Sequence, residues 1–194
     1  LMVSIGNEEK WTGFTSGVTE EEYETLILLV KKQFHLNGWF TNENVNSALK
    51  ALGNQLTEDQ LSTWLEKYSF TDHPKNVAII MAGNIPLVGF HDFLCVLMSG
   101  NTAICKLSSD DKTLLPALSS ILIQFLPELK DRIVFTTGRI AQMDAVIATG
   151  SNNSLVYFEQ YFGKYPHIFR KNRTSLAVIS GNETSEDFNA LGHD

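Results

Sequence analysis

The sequence lacks several things that would have announced a class. It has no uninterrupted apolar run of about 20 residues, the length a membrane-spanning helix needs. The longest apolar stretch, Val77 to Leu97, is broken by Gly83, Asn84, Pro86, Gly89, His91 and Asp92. No basic segment followed by an apolar core stands at the N-terminus, so no secretory signal is expected. No cluster of cations is present: Lys plus Arg total 15 against 22 Asp plus Glu, a net charge of −7. That balance argues against nucleic-acid binding and membrane-surface binding, which need clustered positive charge. Cysteine is scarce, with only Cys95 and Cys105, and neither belongs to a CxxC pair. A disulfide scaffold is therefore excluded, and the pair reads as reduced core residues of a cytoplasmic protein. The five histidines show no metal-ligand spacing, so no metal site is expected. There is no GxGxxG and no GxxxxGK[ST], so neither standard phosphate-loop motif is present.

What is there is an ordinary globular chain of 194 residues, 43% hydrophobic. It is long enough for one large domain or one and a fraction. The first third reads as helices. Thr19 to Glu22 is a capping box ahead of Tyr23, Leu26, Ile27, Val30 and Phe34 at helical spacing, and Asn37-Gly38 ends that helix. A second helix follows Thr41 and stops at Gly53; a third follows Thr57. Residues 1–18 read as irregular.

From Asn76 the texture changes to short apolar runs alternating with helical segments. Strands are expected at Val77–Met81, Thr102–Leu107, Ile133–Phe135, Ala145–Thr149 and Leu176–Ile179. Helices are expected at about 87–99, 114–125, 140–143 and 153–161. This alternation predicts an α/β fold with a doubly wound, mostly parallel sheet. The division expected is a helical N-terminal segment, residues 1–75, and a dinucleotide-binding domain, residues 76–194. A new amphipathic segment at Ser185–Leu191 directly precedes the last residue, which predicts a chain truncated before a further domain.

In open parallel sheets, ligands bind beyond the C-terminal ends of the strands. Four such ends are small, polar or glycine-rich: Gly83-Asn84-Ile85-Pro86, Lys106-Leu107-Ser108-Ser109, Thr136-Thr137-Gly138 and Thr149-Gly150-Ser151-Asn152. Each alone is weak. Asn84 is also a plausible turn residue before proline, Lys106 a solvated strand-end lysine, and Ser151 a plain helix cap.

The motifs Met81 to Gly89, Ser99 to Ser108 and Ala148 to Ser151, in that order and spacing, resemble the aldehyde dehydrogenase superfamily. The runs Asn84 to Leu94 and Arg170 to Ser175 make the chain similar to its acyl-CoA reductase branch, related to the fatty-acid reductase of bacterial bioluminescence. The resemblance implies reduction of an acyl-CoA or other acyl thioester to an aldehyde by nicotinamide hydride through a cysteine thioester. It implies Asn84 as the oxyanion donor, worth about 2.7–4 kcal/mol. It implies Lys106, Ser108 and Ser109 at the adenosine ribose, and Thr149, Gly150 and Ser151 at the pyrophosphate. Hydrolytic relatives carry a Glu general base where Arg170 stands here. The resemblance places the nucleophilic cysteine further along than Asp194, so this chain alone is expected to be inactive.

At Ser109, NAD-preferring relatives have a Glu that would repel a 2′-phosphate, so NADP(H) is expected to be preferred over NAD(H). Asp110 and Asp111 cut the other way unless they point into solvent, as expected here. A homo-oligomer is expected from apolar surface left open. The competing function is a catalytically inactive module that holds nucleotide or only oligomerises. His91-Asp92 looks like a dyad, but adjacent residues on a helix do not face each other.

Overall fold

The computed structural model describes residues 1–13, 17–70, 73–173 and 176–193. The N-terminal helices are α1 (Met2–Gly6), α2 (Glu20–Leu36), α3 (Asn42–Gln55) and α4 (Glu58–Leu65). The α2 capping box is complete. Thr19 Oγ1 accepts from the Glu22 amide at 3.3 Å, and the Glu22 carboxylate accepts from the Thr19 amide at 2.8 Å. Residues 1–18, expected to be irregular, contain α1, whose Ile5 and Gly6 are buried. A Cβ at Gly6 would stand 2.7 Å from the Asn46 carbonyl oxygen, so α1 lies hard against α3 because position 6 has no side chain. Phe34, expected on the apolar stripe of α2, is instead exposed; the buried position in that turn is taken by Gln33.

The remainder runs β1 (Asn76–Ile80), α5 (Phe90–Met98), β2 (Thr102–Lys106), α6 (Leu114–Phe125), a 3-10 turn at Pro127–Arg132, β3 (Ile133–Thr136), β4 (Ala145–Thr149), α7 (Asn152–Phe162), β5 (His167–Arg170) and α8 (Ser185–His193). All four strand pairings are parallel, in the order β3-β2-β1-β4-β5. The chain steps outward from β1 through β2 to β3, then returns to β4 on the other side. This reversal is the topological switch point of a doubly wound α/β sheet.

Alternation along the strands divides the core. Val77, Ile79, Ala103 and Cys105 face α5 and α6, in one cluster with Tyr23, Leu26, Val30, Phe40, Val45 and Leu49 of the helical region. Ala78, Val146 and Ala148 face the other way, onto Phe158 and Phe162 of α7. The N-terminal helices and the sheet therefore share one hydrophobic cluster.

Three further expectations fail. The fifth strand is His167–Arg170, not Leu176–Ile179. The latter has no strand pairing, and Leu176 and Val178 are each 82% exposed. An apolar run predicts a buried strand only when a neighbour is there to cover it. Residues 140–143 are not helical; β3 reaches β4 through a loop. Helix α5 starts at Phe90, not near Leu87, because Leu87 has φ of +59° and cannot join a right-handed helix. Among the described residues no helix is long and apolar enough to cross a membrane.

Candidate functional site

All four predicted strand ends lie in one row, since β3, β2, β1 and β4 are consecutive in the sheet. The turn after β1 carries Asn84, which is exposed. The Met81 amide donates to the Lys106 carbonyl at 3.0 Å, so the ends of β1 and β2 remain in register as the strands finish. Gly83 is needed where the two loops touch, for a Cβ there would lie 2.4 Å from Ser108 Oγ.

Lys106 is half-buried and has no ion-pair partner among the described residues. Beyond it, Ser108 Oγ accepts from the Asp110 amide at 3.3 Å, and the exposed Ser109 hydroxyl donates to the Asp110 carboxylate at 3.1 Å. Asp110 is exposed, as expected, but Asp111 is not: it is 8% exposed and turned inward. One of its oxygens accepts from the Leu87 amide at 2.8 Å and the other has no partner among the described residues. Burial pushes the Asp111 carboxyl above the usual carboxylate range, and the Leu87 bond only partly opposes this.

At β4, the Gly150 amide donates to the Arg170 carbonyl at 3.0 Å. Ser151 caps α7, accepting from the Ser154 amide at 3.2 Å, with the two hydroxyls 3.1 Å apart. The remaining amides of the first turn of α7 have no intrahelical acceptor, and this turn begins at the end of β4, the neighbour of β1, where an anion would be favoured. The β3 end lies beside that of β2, with Thr136 paired to Lys106, and the Gly138 amide there turns back onto Thr136 Oγ1 at 3.1 Å.

Arg170, which the resemblance sets where hydrolytic relatives carry a Glu, is the last residue of β5 and pairs with Asp92 of α5. Of the run compared with relatives, Thr174 and Ser175 lie outside the described residues. His91 turns away from Asp92: its Nε2 stands 3.5 Å from Cys95 Sγ, and its ring lies 6.1 Å from that of Trp64. Cys105 is fully buried in β2, with its thiol pushed up to about 12. Burial foremost, then the Asp92 charge, raises the Cys95 thiol, and Arg170 partly offsets them. Neither thiol has the lowered pKa of a nucleophile, and Cys105, one residue before the end of β2, is turned into the core.

The sequence reading missed the residues that tie the site together. The Asn37 side-chain amide, at the end of α2, reaches the Gly83 carbonyl at 3.4 Å and the Asp110 carbonyl at 3.3 Å. Gln33, 1% exposed, accepts from the Thr113 hydroxyl at 3.0 Å. Gln33 left a trace in the sequence, a polar residue at a stripe position of an amphipathic helix. Asn37 showed only as a helix end, and Asp111 only as a carboxylate expected in solvent.

The family model for acyl-CoA reductase (LuxC) matches residues 19–194. No curated protein matches the chain. The match takes in nearly all of the chain, including every strand end described above, and the chain belongs to the acyl-CoA reductase family.

Proposed function

We propose that this acyl-CoA reductase family member supplies the cofactor-binding part of an enzyme that reduces an acyl thioester to an aldehyde. The observation that carries the reading is the convergence of the Asn84 turn, the Lys106–Ser109 loop and the Thr149–Ser151 cap on adjacent strand ends, at the switch point of the sheet. The donor set suits a dinucleotide. The amides at the start of α7 suit a pyrophosphate, and the unpaired ammonium of Lys106 suits a ribose hydroxyl or its phosphate. When bound, the nicotinamide supplies the hydride.

The rest follows from the chain's own groups. A thiolate attacking a thioester forms a tetrahedral oxyanion, and Asn84 donates its side-chain N–H to that oxygen. Collapse expels the coenzyme thiolate and leaves an acyl-enzyme. Arg170 stays protonated and cannot activate water, so the acyl group survives to be reduced. Cys95 and Cys105 do not suit the role of that thiol, because burial raises the pKa of both; a cysteine outside these 194 residues would supply it. Ser109 in place of a Glu favours NADP(H) over NAD(H), with the exposed Asp110 carboxylate, 3.1 Å from the Ser109 hydroxyl, opposing it. The inward turn of Asp111 does not reverse this, because burial disfavours its charge.

Residues 76–194 form the cofactor domain, and residues 1–75 buttress it through the shared cluster. The enzyme works in the cytoplasm as a homo-oligomer that covers exposed apolar residues such as Leu176 and Val178. The same exposed residues, with the absence of a placed thiol, favour a second reading: an inactive module that binds nucleotide or only assembles.

Two measurements separate the readings. NADPH should quench the intrinsic fluorescence of the chain on titration. The longer polypeptide that contains it should oxidise NADPH when given an acyl-CoA. Aldehyde formation supports the enzyme. Nucleotide binding with no turnover in the longer polypeptide supports the nucleotide-holding module, and no binding removes the enzyme and leaves a module that only assembles.

A further inference from the structure

Leu87 is a non-glycine residue with φ of +59°, and it is only 3% exposed. The left-handed region disfavours an L-residue by about 1–2 kcal/mol, so the surroundings must hold it there. What holds it is a side chain from another loop: the Leu87 amide donates to Asp111 at 2.8 Å, a buried bond between two buried residues. Asp111 is itself in an unfavourable state, a buried carboxyl with one oxygen unpartnered among the described residues. Two costly features thus meet in a single hydrogen bond. The bond joins the turn that carries Asn84 to the loop that carries Ser108 and Ser109.

The same loops touch at two further points. Gly83 is packed against Ser108 so closely that no Cβ fits between them. Asn37 lies across both, with its amide on the Gly83 and Asp110 carbonyls and its oxygen accepting from the Trp39 amide at 3.0 Å, which fixes the way the amide faces. The Asp111 loop needs no help from its carboxyl to keep its shape. It is closed by a backbone bridge between Ser108 and Asp111 and by the Asp110 amide on Ser108 Oγ. The carboxyl is left to act on the neighbouring turn.

We propose that Asp111 is a positioning residue of the reductase, holding Leu87 left-handed and so fixing the Asn84 turn against the Ser108–Ser109 loop, with Asn37 tying the same two loops from the end of α2. The proposal rests on the reading of Asn84 as oxyanion donor and of Ser109 as a cofactor contact. Its consequence is that the donor for the acyl oxygen and the surface for the cofactor keep one fixed spacing. Hydride transfer needs that spacing, and a misplacement of about 1 Å can lower a rate about 10²-fold.

The test uses the longer polypeptide that carries the chain. Asp111→Ala removes the acceptor; Asp111→Asn keeps an oxygen in the same place. Asp111→Ala is expected to lower kcat by about 10–100-fold with unchanged NADPH affinity, and Asp111→Asn to restore most of it. Wild-type kcat in Asp111→Ala, or equal losses in the two variants, overturns the proposal. Should Asp111→Ala fail to fold, Asn37→Ala decides: a lower kcat at unchanged NADPH affinity supports the lock, and an unchanged kcat overturns it.

A second readout needs no activity. Hydrogen exchange across residues 83–89 of the 194-residue chain should quicken in Asp111→Ala and not in Asp111→Asn, with β1 and β2 unchanged. Equal protection in all three proteins overturns the lock. An unmutated enzyme without turnover, but with this exchange pattern, would overturn the functional reading and leave the lock standing.

Discussion

Arg170, the last residue of β5, pairs with Asp92 in the first turn of α5, both carboxylate oxygens meeting one guanidinium nitrogen. Asp92 is buried and Arg170 half-buried. β5 is an edge strand, and β4 separates it from the central β1 on which α5 packs. The ion pair therefore binds the edge of the sheet to a helix that β5 itself does not carry.

Arg170→Ala would leave the Asp92 carboxylate buried and alone. Breaking a fully buried pair costs about 3–5 kcal/mol; with part of this guanidinium in solvent, about 1–3 kcal/mol is expected. Urea denaturation gives the value. The double variant Asp92→Asn with Arg170→Ala should lose less than the sum of the two single changes. Strict additivity would mean the two groups do not interact.

Asn84→Ala should lower kcat of the complete reductase by about 10²–10³-fold, because an oxyanion donor acts in the transition state. NADPH affinity should hardly move. The comparison needs steady-state kinetics beside a binding titration. A variant as fast as the parent would take Asn84 out of the chemistry.

Ser109→Glu should turn the cofactor preference toward NADH, since a carboxylate there repels a 2′-phosphate and accepts from ribose hydroxyls. Fluorescence titrations of both nucleotides against both proteins measure it. If the unmutated chain already binds NADH the more tightly, Ser109 does not set the choice.

Thiol labelling should distinguish the two cysteines. Only a thiolate reacts, and Cys105, with its thiol pushed up to about 12 inside β2, should stay unlabelled until the protein unfolds. Cys95, half-buried and also raised, should label slowly. Mass spectrometry after alkylation at neutral pH reads both. Labelling of Cys105 as fast as Cys95 would reveal local opening of the central strands.

Much of this arrangement was legible in the residues. β1 shows itself as a short apolar run because both its faces are buried, β2 and β4 as runs of which alternate residues are buried, and the loops beyond them show themselves as Gly, Asn and Ser. β5 was not legible. His167-Ile168-Phe169-Arg170 is a four-residue edge strand with Ile168 exposed, so no continuous apolar run marks it. Leu176–Ile179 looked more like a strand and has no neighbour to pair with. The site was legible in its loops and not in its fastening. Nothing local to Asp111 says that it will turn inward to reach Leu87, because that contact is made by tertiary folding between two separate turns.

The placement of β1 also sets an order of events in time. It is the first strand made, yet its two partners come later: Val77 pairs with Ala103 on one side and with Ala145 on the other. On the ribosome β1 has no sheet to join until β2 has emerged, and its second edge stays open until β4 follows. Pairings so distant in sequence close slowly, and an open apolar strand is prone to aggregate meanwhile. The helices made before β1 belong to the same hydrophobic cluster as Val77 and Ile79. They are in place to shield the strand during that interval, which makes the N-terminal third a nursery for the sheet as well as its support.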